Sequence, residues 1–205
     1  MKFVWGDPTD VDMCRAMRHE FLRCTEAYAD FIVASNALRE GDETRQISYR
    51  AYNAYARFLL HLYEFLIACE QRARCDTAQI VRDDADVAIA VLARRAYERV
   101  TAPLNAAPLG AAPYNGGITE SMDKLKTFAA AFRQARNTAM GHVKHQRSKL
   151  NLSDFYQSHH RYLLALYSGA THMWGSVGDE FPDLGEVTKF SVLVKNAPPD
   201  ARIGV

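Results

Sequence analysis

No uninterrupted apolar run in the 205 residues approaches the roughly 18–20 that a membrane span requires. The longest, Phe58 to Cys69, is short and carries His61 and Glu64. The N-terminus, Met1-Lys2-Phe3-Val4-Trp5-Gly6-Asp7, lacks a signal peptide's long apolar region, which sets the expectation of a cytoplasmic protein with no membrane partner. The four cysteines, Cys14, Cys24, Cys69 and Cys75, form no Cys-x-x-Cys pair and join no close Cys/His cluster with ligand spacing. No metal and no cofactor is therefore expected. Two of the cysteines fall on an apolar helical stripe and read as small buried hydrophobes. Rossmann and P-loop patterns are absent, as are larger internal repeats. A net charge of only +1 excludes a protein that is basic all over.

What is present is helical periodicity. Asp7-Pro8 opens a first helix, since Asp can cap and Pro suits the first helical position. Cys14, Met17, Phe21, Cys24, Tyr28, Phe31 and Leu38 then follow steps of three and four, with Ser35 filling the gap before Leu38, until Gly41-Asp42. From about Glu43 to Arg74 a second helix carries two apolar lines, the mark of a central element. The connection is only a few residues, so the two form an antiparallel hairpin. A third helix covers about Asp83 to Thr101, with acids in its first turn. Pro103, Pro108, Pro113 and Asn115-Gly116-Gly117 make residues 102–118 a long loop. Thr119 is placed to cap a fourth helix, with Met122, Leu125, Phe132, Ala135 and Ala139 facing inward. Ser153 is placed to cap a fifth, running to about Trp174. Beyond Gly175 one strand-like run, Phe190 to Val194, lies among Gly, Pro and Asp. The expectation is an all-α bundle of about five helices over residues 1–175, with residues 176–205 a tail or decoration.

Charge is unevenly placed. From Glu120 to Lys149 seven cations (Lys124, Lys126, Arg133, Arg136, Lys144, Arg147 and Lys149) stand against two acids, a surplus of five. Such a segment suits transient contact with a phosphate backbone, or is a solvated helical face.

Within it lies Arg136-Asn137-Thr138-Ala139-Met140-Gly141-His142. The spacing resembles the Arg-x(4–6)-His signature of the HEPN superfamily, including the polar residue favoured directly after the arginine. The resemblance implies a small helical bundle, acting as a dimer whose two motifs line one shared cleft. It also implies metal-independent RNA cleavage in a toxin–antitoxin or antiviral defence system, with an antitoxin as a further partner. Carried onto matching positions, Arg136 holds the scissile phosphate, His142 transfers a proton and Asn137 orients one of them or the substrate. Arg133, Lys144, His145 and Arg147 are candidate RNA contacts.

The residue types suit that chemistry. Histidine titrates near neutrality and arginine grips phosphate with two prongs. Arg136 and His142, six apart, are rotated by roughly 120° on a continuous helix, so a shared pocket needs a helix end at Gly141 or a second subunit. Two further readings remain, a non-catalytic module binding RNA, nucleotide or a protein partner, and an unrelated helical interaction protein. Arg57, His61 and Glu64 share one face of the second helix, either as its polar side or as a line reaching Arg136 with a carboxylate. His159 reads as a hydrogen-bonded core histidine. Tyr49, Tyr52, Tyr55 and Tyr63 read as bundle packing or as base-stacking groups.

Overall fold

A computed structural model describes residues 1–101, 120–140, 151–170, 173 and 185–196, with the backbone alone at residues 139 and 140. These residues form six helices: α1 (Pro8–Arg39), α2 (Arg45–Ala73), α3 (Arg82–Thr101), α4 (Met122–Met140), α5 (Leu152–Ala170) and α6 (Glu186–Lys195). None is long and apolar enough to cross a membrane. The 102–118 loop expected from the sequence lies outside the described residues, apart from its helical approach at Thr101.

The first helix starts as its sequence dictates. The Asp7 carboxylate accepts from the Asp10 backbone N–H at 2.8 Å, and Pro8 fills the first helical position. Its end is a Schellman motif. The Asp42 N–H donates to the Ala37 carbonyl and the Gly41 N–H to Leu38, with Gly41 at φ +98°. The chain then reverses into α2, capped by the Thr44 hydroxyl, and the expected hairpin results. A second Schellman motif closes α2, where Asp76 N–H reaches Gln71 and Cys75 N–H reaches Arg72. Here the left-handed position is held by Cys75 at φ +50°.

Two caps differ from expectation. Thr119 lies outside the described residues, and it is the Ser121 hydroxyl that accepts from the Lys124 N–H at 3.3 Å. At α5 the cap is Asn151, whose side-chain oxygen accepts from the Asp154 N–H at 3.0 Å, and Ser153 sits inside the first turn. Asn is as strong a cap as Ser, and the helix starts two residues earlier, with Leu152 and Phe155 in the core.

The strand-like run Phe190–Val194 is corrected to helix α6. Its β-branched content suggested a strand, yet Val187, Phe190 and Val194 fall at the helical spacings of three and four. No residue of α6 is buried, and among the described residues it packs on none of the other helices.

One core joins α1 to α5. Phe58, Leu59, Leu62, Phe65 and Leu66 of α2 are fully enclosed, meeting Met17, Phe21 and Cys24 from α1 and Leu125, Phe128 and Phe132 from α4. On α2, Phe58 and Phe65 meet Tyr28 and Phe21 of α1, Tyr55 reaches Tyr156 and His160 of α5, and Tyr63 meets Phe132 of α4. Three cysteines, Cys14, Cys24 and Cys69, are buried, and burial pushes the Cys69 thiol up to about 12.

Candidate functional site

The packing of α4 on α2 fixes where Arg136 points. Leu125, Phe128, Phe132 and Ala135 form the buried face of α4, and Phe132 meets the Tyr63 ring edge-on at a centroid distance of 5.2 Å. Arg136, one turn beyond Phe132, therefore emerges over Tyr63. Its guanidinium carbon stands 5.6 Å from that ring's centroid. One terminal nitrogen pairs with the Glu64 carboxylate on α2, and the other donates to the Asn137 side-chain oxygen at 2.5 Å. The polar face of α2 thus reaches Arg136 with a carboxylate. The Nε of Arg136 is buried and has no acceptor among the described residues.

Arg136 and Asn137 line a cleft of about 790 Å³ between α1, α2, the 77–82 connection and α4. Met13, Ile67 and Ile80 supply apolar wall, and Glu20, Glu64, Arg82 and Arg136 supply charge. Burial, reinforced by Asp86, raises the Tyr63 hydroxyl above its ordinary value, so this wall stays neutral. The concavity is of the size that holds small ligands or a short piece of a polymer.

Arg133 also borders the cleft, but its guanidinium is engaged. It donates to both Asp86 oxygens, from Nε at 2.8 Å and from a terminal nitrogen at 3.0 Å, with each side chain only 16% exposed. This bidentate pair ties α4 to α3. Arg133 acts here as a tie between helices, with its main donors no longer open to RNA.

His142, Lys144, His145, Arg147 and Gly141 lie outside the described residues. The rest of the polar line on α2 is paired with α1. Arg57 donates to Asp30 at 2.8 Å, and His61 Nδ1 meets Glu20 Oε1 at 2.7 Å. His159 packs among the rings of Phe128, Phe155 and Tyr162, and among the described residues its buried Nδ1 has no hydrogen-bond partner. Burial lowers its pKa, keeping the ring neutral among the phenyl groups. Its neighbour His160 takes the hydrogen bond instead, with the Tyr55 hydroxyl at 3.1 Å. Tyr55 and Tyr63 are core residues, whereas Tyr49 and Tyr52 are exposed.

Sequence reasoning did not find the Glu20–His61 pair. Its members are 41 residues apart and meet only because the hairpin brings α1 against α2. Among the described residues no group of three or more His, Cys, Asp or Glu side chains could hold a metal ion. Comparison with known proteins gives no match, whether to a family model, a curated protein or a solved structure.

Proposed function

We propose that this chain is a HEPN-like endoribonuclease that cleaves single-stranded RNA without a metal, through attack of the ribose 2′-hydroxyl. The observation that carries the reading is Arg136. It is an arginine fixed on the wall of a cleft, over the Tyr63 ring and braced by Glu64 and Asn137, with its side chain about a third exposed. A guanidinium in such a position presents charge and N–H donors to a phosphate. Arginine then offsets charge developing on the phosphate, while His142 moves a proton. The products are a 2′,3′-cyclic phosphate and a 5′-hydroxyl. The six-residue offset between Arg136 and His142 favours a homodimer with a shared cleft, and the setting is a cytoplasmic toxin–antitoxin or antiviral defence system. Lys144, His145 and Arg147 extend the RNA contact.

A second reading draws on Glu64. With a carboxylate already compensating Arg136, the same cleft suits a non-catalytic module that recognises RNA, nucleotide or a protein partner. One experiment separates the two. Labelled RNA is incubated in EDTA with the native protein, Arg136→Ala and His142→Ala. Cleavage lost in both variants supports the nuclease. RNA binding without cleavage supports the module, and cleavage unchanged in both variants refutes the assignment of these residues. Sedimentation of the native protein tests the dimer.

A further inference from the structure

The cleft that holds Arg136 changes character along α2. Glu64, Ile67, Ala68 and Gln71 line it in steps of three and four, so one face of the helix forms a wall about 10 Å long. That wall is charged at Glu64, where Arg136 is held, apolar at Ile67 and Ala68, and an amide at Gln71. Met13 of α1 and Ile80 of the 77–82 connection add apolar surface to the same cleft. The Gln71 amide has a fixed sense. Its nitrogen donates to the backbone carbonyls of Thr77 at 3.3 Å and Ala78 at 3.1 Å, so both of its N–H groups are occupied by the connection. Its oxygen is left as an acceptor, and no donor among the described residues reaches it.

We infer that the Gln71 end of the cleft is a slot for the base of the nucleotide whose phosphate Arg136 holds, and that Gln71 favours bases with an exocyclic amino group. This rests on the reading above that Arg136 holds an RNA phosphate, and deepens it. One nucleotide spans the wall from end to end, with its phosphate at Arg136, its sugar and base across Ile67 and Ala68, and its base edge at Gln71. The apolar surface replaces water on the faces of the base. At the edge, the amino group of adenine or cytosine donates to the Gln71 oxygen. Uracil presents carbonyl oxygens there, which meet a like acceptor, and its ring N–H is recessed between them. An amide whose nitrogen is tied to two carbonyls cannot turn over to serve uracil.

Calorimetric titration with adenosine, cytidine and uridine 5′-monophosphates tests this on the native protein, Gln71→Met, Ala68→Leu and Arg136→Ala. The native protein should bind the adenine and cytosine nucleotides about tenfold more tightly than the uracil nucleotide. Gln71→Met keeps the side-chain length but removes the acceptor, so that preference should vanish with uridine monophosphate affinity unchanged. A merely structural loosening of the connection would weaken all three alike. Ala68→Leu fills the slot and should abolish binding of all three, while ribose 5-phosphate binds as it does to the native protein. This variant decides the matter if Gln71→Met fails to show the native melting transition. Arg136→Ala should weaken all three nucleotides equally, and unchanged binding there refutes both the phosphate at Arg136 and the slot defined from it. Equal or absent native binding of the three, a preference that survives Gln71→Met, or unaltered nucleotide binding by Ala68→Leu overturns the slot. Cleavage of labelled RNA in EDTA is scored separately. Cleavage without the base preference leaves the ribonuclease reading standing and the slot refuted, whereas the preference in binding without cleavage leaves the slot standing and refutes the nuclease.

Discussion

Removal of the Asp86 carboxylate should strand Arg133 and loosen the helix that carries Arg136. Asp86 accepts two charge-assisted bonds, at 2.8 and 3.0 Å, in a pair whose members are each 16% exposed. Removing one partner of a fully buried pair costs about 3–5 kcal/mol. The remaining access to water brings the figure for Asp86→Ala to about 2–3 kcal/mol. At about 2–4 °C per kcal/mol for a chain of 205 residues, Tm should fall by about 4–12 °C. Asp86→Leu combined with Arg133→Met replaces the pair with apolar groups of similar length and should recover much of that loss. Circular dichroism melts of Asp86→Leu, Arg133→Met and the double variant close a mutant cycle, with a coupling energy of about 2 kcal/mol expected. In RNA titrations, Arg133→Met should leave the salt slope unchanged, whereas Arg136→Ala should reduce it by about one. Additive melting shifts, or a salt slope that falls with Arg133→Met, would refute the assignment of Arg133 as a tie between helices.

Three other outcomes follow from the structure. Asp10 is buried, and the Arg72 guanidinium holds its carboxyl below the usual carboxylate range. That stability is present above the unfolded-state value and is lost as pH falls through the lower folded value, so the Tm advantage of the native protein over Asp10→Asn should vanish in acid melts. Burial raises the thiols of Cys24 and Cys69, so an exposed-thiol assay at neutral pH should find Cys75 reacting well before either, and Cys75→Ser should remove the fast phase. Cys75 also occupies the left-handed position closing α2, so Cys75→Gly should raise Tm by relieving up to about 1 kcal/mol, whereas Cys75→Val should lower it.

The helices were legible because burial repeats along them at helical spacing, and that repeat is local. Cys14, Met17, Phe21 and Cys24 announced the buried face of α1, and all four are buried. Caps were legible in kind but not always in position. Asp7 was fixed by the adjoining Pro8, whereas at α5 both Asn151 and Ser153 could cap, and packing of Leu152 made the choice. The misread of α6 has the same root. Val192, Leu193 and Val194 are good strand formers, but the period of three and four over Val187, Phe190 and Val194 carried the correct information.

The site was legible only where it depends on one helix at a time. Glu64 was traceable because Arg57, His61 and Glu64 share a face of α2, and that face meets Arg136. Asp86 was not, since it is 47 residues from Arg133 and nothing local to either helix specifies that they meet. The same gap distorts the charge of the 120–149 segment. Counted along the chain it has a surplus of five cations. In the fold, Arg133 is neutralised by Asp86, Arg136 by Glu64 and Lys124 by Glu120. The acids from α2 and α3 lie outside the segment and cancel charge that the chain order leaves unopposed. A phosphate entering the cleft therefore does not meet a bare basic surface. It competes with Glu64 for Arg136, and what it gains beyond that exchange is the Arg82 cation on the same cleft and the enclosure of the cleft.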